Sequence, residues 1–343
     1  MLIRFVPHIK YIFFAFLLLM IVSPSHAEEN DVFVELKEHF KRPETISFPK
    51  HAPYSPQIAT LGKMLFFDPR LSGAQNMSCA SCHNPSFGWE TPVDKAIGAM
   101  NVPLGRHAPT VLNLAEASIF FWDGRANSLE EQAIGPITHP AEMGAKFPDL
   151  VKRLNKIEGY RHWFAKLFEG EGASKQAILS SLAMFERTIQ SGWAPFDEWV
   201  AGNEDAISYS AKQGFLVFNG KGACSNCHSG WNFTDHQLHD VGVVTNDLGV
   251  AAYSSLETGD EYTFKTPGLR NITIRAPYMH NGSITSLESV IEHYSSGGLA
   301  RPSRSSLMPD EPLTQQEKED LLSFLETLTE PNPNVEAPAL PAR

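Results

Sequence analysis

Two pentapeptides carry the chemistry-bearing residues of this chain: Cys79-Ala80-Ser81-Cys82-His83 and Cys224-Ser225-Asn226-Cys227-His228. Together they use all 4 cysteines of a 343-residue sequence. The C-x-x-C-H spacing is the attachment signature of c-type haem. Its two thiols add to the porphyrin vinyl groups, and the histidine that follows sits under the iron as an axial ligand. The contiguity matters, because a shift of one residue would swing the imidazole off the metal. Two other chemistries use the same residue types. A zinc site would need a fourth donor beyond each group of three, with His107, His139, His236 or His239 available to supply it. A redox dithiol would leave the histidine after both pairs unexplained.

The elements that must hold these pentapeptides are helical. Ser55-Pro56 is a cap followed by proline at the first helical position, and Ile58, Leu61 and Leu65 then share a face up to Asp68-Pro69. Residues 28–54 read as an irregular lead-in. Short helices are predicted over 128–134, 147–155 and 158–168, and a longer one over 174–190 with Ile178, Leu182, Phe185 and Ile189 on one face. Residues 191–206, with Gly192, Pro195 and Gly202, read as a hinge between halves. A helix over 208–218 leads into the second pentapeptide, residues 232–266 are loop-like, and 284–294 is another helix. Thr314 and Glu317 form a capping box ahead of the last helix. The tail from Pro331 holds four prolines and reads as a strap or a disordered end. A weak internal repeat is visible: Gly62 and Phe66 precede the first pentapeptide as Gly214 and Phe218 precede the second, and Gly88-Trp89 and Gly230-Trp231 follow them. With strand signals sparse, the fold class is mostly α, and the repeat supports two similar haem modules.

Arg4 and Lys10, the apolar run Tyr11–Val22 and the small residues of Ser25-His26-Ala27 have the layout of a secretory signal peptide over residues 1–27. This predicts a periplasmic protein, with no stable membrane insertion after cleavage. In an exported chain, unoccupied C-x-x-C pairs would tend to oxidise. The formal net charge of −11 argues against nucleic acid and anionic lipid and suits a basic protein partner. Hydrophobic residues at 42% and charged residues at 20% describe a globular chain.

Beyond the pentapeptides the sequence resembles the bacterial dihaem cytochrome c peroxidase and MauG family, from about Leu61 to Leu328. The blocks that carry the resemblance are Phe67-Asp68-Pro69-Arg70-Leu71-Ser72, Arg106-His107-Ala108-Pro109-Thr110, Phe121-Trp122-Asp123-Gly124-Arg125-Ala126, Glu131 to Ile137, Glu142-Met143, Leu269-Arg270-Asn271 and Ala276-Pro277-Tyr278-Met279-His280. The resemblance implies two cytochrome c-like helical domains, each with one covalently bound haem: an N-terminal domain, 28–192, whose haem reacts with hydrogen peroxide, and a C-terminal domain, 193–330, whose haem relays electrons, followed by the tail 331–343. It implies that Gln132, Pro136 and Glu142 line the distal side of the first haem, with Glu142 moving a proton between the peroxide oxygens, and that Trp122 lies between the haems. Packed aromatic core is the other role open to Trp122.

Departures from the family pattern set the subtype. Many of these peroxidases carry a distal histidine in the loop after the first pentapeptide. That place is Ala99, which cannot ligate iron, so an open sixth position is expected, with Met100 the neighbouring substitute. The second haem's other ligand falls at Tyr294, as in MauG-like members, where many peroxidases have methionine. A phenolate favours ferric iron. Met279, His293 and Met308 are the other candidates. The surface tryptophan of MauG would fall at Gly222. The family's calcium ion would take backbone carbonyls of Arg275 and Pro277, but the place of its asparagine is His107, a poor calcium ligand. The sequence therefore predicts a MauG-like haem peroxidase. It would take electrons from a small donor protein, a cytochrome c or cupredoxin, or from residues of a protein substrate. The rivals are an ordinary cytochrome c peroxidase, a dihaem electron carrier and a zinc protein.

Overall fold

The computed structural model describes residues 26–170, 172–253, 260–331 and 335–342, so most of the predicted signal peptide lies outside the described residues. The chain separates into two units, Met1–Glu38 and His39–Arg343. The described part of the first lies in helix α1, His26–His39, whose last residue opens the second unit. The irregular lead-in expected from residue 28 is thus wrong at its start. The segment holds four glutamates with Ala27, Leu36 and Lys37, which favour helix by backbone propensity without marking an apolar face.

Within His39–Arg343 the helices gather around two crossings. The first group comprises α2 (Pro56–Phe67), α3 (Leu129–Thr138), α4 (Phe147–Lys156), α5 (Glu158–Leu167) and α6 (Lys175–Thr188). Ser55 caps α2, its hydroxyl accepting the Ile58 N–H at 3.3 Å. Asp68 ends it and then holds the next turn, accepting Arg70 N–H at 2.8 Å and the Tyr160 hydroxyl at 2.6 Å. Helix α2 lies across α6 at Gly62, where a Cβ would stand 1.9 Å from the Ser181 carbonyl oxygen. Glycine is what lets the two backbones approach so closely. Leu61, Leu65, Ile178 and Leu182 fill the space around the crossing. Helix α3 continues four residues beyond its predicted end and contains Pro136. A helix can accommodate an interior proline at the cost of one hydrogen bond.

The second group repeats this plan. It comprises α7 (Pro195–Val200), α8 (Tyr209–Asn219), α9 (Leu287–Ser295) and α10 (Gln315–Glu326). Helix α8 lies across α10 at Gly214, where a Cβ would stand 1.9 Å from the Asp320 carbonyl oxygen. The aromatic pairs match as well: Phe66 meets Phe185 at 5.4 Å, and Phe218 meets Phe324 at 5.1 Å. The capping box of α10 forms between Thr314 and Glu317. The expected hinge at 191–206 is a folded segment, because α7 places Phe196 and Trp199 at 0% exposure in the aromatic core. Apolar residues there outweigh the loop signal of Gly192 and Pro195.

The long loop-like stretch before α9 contains a short antiparallel pair, β1 (Leu238–His239) with β2 (Phe264–Lys265). The tail acts as a strap: the Pro341 carbonyl accepts a hydrogen bond from Arg70 Nη2 at 3.0 Å.

Candidate haem sites

Both pentapeptides fold into the same tight turn. In the first, Cys82 N–H and His83 N–H both reach the Cys79 carbonyl, at 3.1 and 2.9 Å. In the second, Cys227 N–H and His228 N–H reach the Cys224 carbonyl, at 3.2 and 2.8 Å. Each turn follows the glycine-crossed helix of its group, so α2 and α8 position the motifs. His83 Nδ1 lies 3.3 Å from the Trp89 carbonyl, and His228 Nδ1 lies 2.9 Å from the Phe233 carbonyl. A carbonyl only accepts, so Nδ1 carries the proton in each ring and Nε2 keeps its lone pair for a metal. Burial lowers the pKa of both histidines, which favours the neutral form that ligates.

These contacts correct one detail of the internal repeat. Trp89 corresponds to Phe233 and not to Trp231. Trp89 and Phe233 each have a positive φ, accept the histidine's hydrogen bond and pack on the paired phenylalanines. Trp231 instead donates its indole N–H to Glu116 at 3.0 Å.

Beside the second turn is an apolar cavity lined by Cys224, Cys227, His228, Tyr294, Trp122 and Lys265, among others. A porphyrin fits this donor set: two thiols and a tautomer-fixed imidazole on one side, a phenol also facing the space, and a half-buried lysine. Lys265 tests the fit. Among the described residues its ammonium has one hydrogen bond, a long one to the Thr266 carbonyl at 3.4 Å, and desolvation pulls its pKa down to about 8. An amine so withdrawn from water suits an anion, and a haem propionate would supply one. Burial and then the two thiols push the Tyr294 phenol well above its ordinary pKa, which favours its protonated form. Met279 and Met308 also line the cavity. His293 is engaged elsewhere, with Nε2 2.8 Å from the Val241 carbonyl.

At the first turn the residues expected on the distal side lie close together. The Cys82 thiol is pushed up to about 11 by burial and then by the charge of Glu142, which places that carboxylate near the first motif. Burial raises the pKa of Glu142 itself, against the smaller effects of His139 and Arg125. The Glu142 carbonyl accepts the Ala99 N–H at 2.8 Å, and the Pro136 carbonyl accepts the Met143 N–H at 3.0 Å. A Cβ on Gly98 would stand 1.7 Å from the Ala141 carbonyl oxygen, so the Ala99 loop lies directly on the Glu142 turn. Gln132 precedes Pro136 by one helical turn of α3. Met100 is 65% exposed and turned to solvent, which removes it as a substitute ligand.

Trp122 is buried, donates its indole N–H to the His107 carbonyl at 2.8 Å and lines the second cavity. Gly222 leaves no room for a side chain, since a Cβ would meet the Val217 carbonyl oxygen at 2.8 Å. The zinc reading finds little support. Cys227, Asp235 and His239 could hold an ion among the described residues, but that group leaves out Cys224 and His228. His239 is already paired with Asp235 at 2.7 Å and pushed up to about 10 by it. Sequence reasoning missed Glu90 and Lys265 as site residues and named Arg275 only for its backbone carbonyl. Each is a charge withdrawn at least partly from solvent without a motif, and only its companions in space mark it.

The fold and the two sites define a dihaem c-type oxidoreductase, and comparison with known proteins agrees. The family model described as di-haem cytochrome c peroxidase matches residues 56–205. The chain is 46% identical to the methylamine utilization protein MauG of Methylorubrum extorquens over 322 residues, which is 93% of this chain and 91% of that protein. It is 34% identical to the cytochrome c551 peroxidase of Nitrosomonas europaea, covering 84% of this chain and 85% of the other. Among solved structures, a MauG-like protein associated with microbial copper homeostasis superimposes with a TM-score of 0.79 at 29% identity, covering 85% of this chain and 95% of that one. The chain belongs to the dihaem cytochrome c peroxidase and MauG family and is MauG-like within it. It is therefore a haem oxidoreductase of the peroxidase class.

Proposed function

We propose that hydrogen peroxide reacts on the His83 side and that oxidising equivalents are drawn from a partner protein through the His228 side. The observation that carries this reading is the pairing of two like ligand turns with unlike opposite faces. Ala99, which cannot ligate, and the half-buried carboxylate of Glu142 stand near the first turn. A phenol, Tyr294, lines the cavity of the second.

Haem bound through Cys79, Cys82 and His83, and through Cys224, Cys227 and His228, supplies the redox chemistry. The rest of the work falls to this chain's side chains. Ionised Glu142 would move a proton from one peroxide oxygen to the other, so that the second leaves as water, with the two electrons for O–O cleavage supplied by the haem. Gln132 orients peroxide by hydrogen bonding, and Pro136 shapes the pocket wall. Trp122 gives electrons a short aromatic step between the sites. Tyr294, which lines the same cavity, would help to hold the second haem through its phenol oxygen. The domains divide at 192/193, between the two glycine crossings.

The partner is a small redox protein, a cytochrome c or cupredoxin, or a protein substrate oxidised in the manner of MauG, and the acidic surface suits a basic docking face. With the leader of residues 1–27 removed, the enzyme works in the periplasm. Among the described residues no helix is long and apolar enough to cross a membrane.

The reading is tested by His83→Ala in the full chain with haem still on the second motif. Peroxide turnover should be lost while the spectrum of the His228 haem persists. Turnover equal to the parent would contradict it. Fast turnover with reduced cytochrome c, and none with protein side chains, would identify an ordinary cytochrome c peroxidase.

A further inference from the structure

The described residues between the two ligand turns include a buried charged cluster that the proposed reaction does not use. Glu90 follows Trp89, the residue whose carbonyl fixes His83, and Glu90 itself lines the cavity of the second turn. It is 4% exposed, and both of its oxygens are engaged. Oε1 accepts Arg275 Nε at 3.0 Å, Arg275 Nη2 at 2.7 Å and the Thr110 N–H at 3.0 Å. Oε2 faces His107 Nε2 at 3.2 Å. The other nitrogen of that ring lies 3.1 Å from the Val93 carbonyl and 3.2 Å from that of Asp94. The guanidinium of Arg275 also occupies the carbonyls of Gly268 and Arg270, at 2.6 and 3.0 Å.

This is where the family resemblance would put a calcium ion, and the residues do not fit one. Calcium takes six to eight hard oxygen ligands. Here an imidazole stands at the asparagine's place, the carboxylate is saturated by donors, and a guanidinium already supplies positive charge beside it. A divalent cation next to that guanidinium would be repelled, and the two arginine nitrogens that share Glu90 Oε1 pair the carboxylate without help from a metal.

We infer that Glu90, His107 and Arg275 form a metal-free clamp that stands in for the calcium ion. The clamp joins the loop of the first site to the wall of the second, and it sets Trp122 through the His107 carbonyl. His107 N–H also reaches the His280 carbonyl at 2.9 Å, which ties in a further wall segment of the second cavity. The inference rests on the family assignment and on these distances, and it holds whether or not the peroxide reading does.

The test uses the full haem-loaded protein, purified without chelator, and measures calcium by elemental analysis. The ferric spectrum and the thermal midpoint are then followed after dialysis against EGTA and after calcium chloride is added. The expected result is far less than one calcium per chain, with both readouts unmoved by either treatment. One calcium per chain, whose removal shifts the spectrum or lowers the midpoint, would overturn the proposal. In Glu90→Gln the clamp is weakened, so the midpoint should fall and the ferric spectrum of the second haem should shift, equally with and without calcium. Restoration of either by calcium chloride would also overturn it. If that variant yields no folded protein, the measurements on the parent chain decide.

Discussion

Glu142 and Tyr294 are the single residues on which the chemistry turns. Replacing Glu142 by Gln keeps the shape and removes the proton acceptor, so the peroxide reaction should slow by about 10²- to 10⁴-fold in stopped-flow mixing. The pH dependence carries a sign as well. Burial raises the Glu142 pKa, and the residue must be ionised to take a proton. The parent rate should therefore fall as pH drops through a value above the ordinary carboxylate range, and the variant should lack that acid limb. Tyr294→His should change the ferric spectrum of the second haem and leave the first unaltered. An unchanged spectrum would move the ligand to Met279 or Met308, which line the same cavity. The haem-attachment residues are legible from spacing alone, because the chemistry demands contiguous donors. Glu142 and Tyr294 stand out only beside a family pattern, since a lone carboxylate or phenol has no local signature. Glu90 and Lys265 escape even that, as their roles come from residues far away in the chain.

At the level of elements, the two glycine crossings position both ligand turns. Gly62→Ala or Gly214→Ala would drive a methyl group to within 1.9 Å of a backbone oxygen unless the helices part. Each should cost about 1–3 kcal/mol, read as a lowered thermal midpoint, with poorer haem incorporation at the adjoining motif. Helix α6 carries a second test. Burial pushes the pKa of Glu186 up to about 8, with Arg187 opposing. The folded state then holds a proton that the unfolded state releases in the ordinary carboxylate range. Stability is fullest at low pH and declines as pH rises from about 4.5 to about 8, by a few kcal/mol at most. Glu186→Gln should flatten that decline in a series of melts. The helices around both crossings were readable from periodicity and from the caps at Ser55 and Thr314, and the structure adds Ser174 and Ser208 as caps. Helix α1 was not, because its residues favour helix without an apolar stripe. Nor was α7, where Gly and Pro on either side masked a short run that packing alone makes helical.

Over the whole molecule, the repeat of helix crossing, ligand turn and histidine lock gives two sites of one plan, and the differences between their opposite faces assign the roles. The sequence revealed the doubling through Gly62 and Gly214, but the match of Trp89 with Phe233 needed three dimensions, because the two loops differ by one residue in length. The most direct test of the account is the ferric spectrum of the full haem-loaded protein before and after one equivalent of hydrogen peroxide. The account predicts one high-spin and one low-spin haem at rest, with both signals changing within the mixing experiment. Two low-spin haems that ignore peroxide would contradict it.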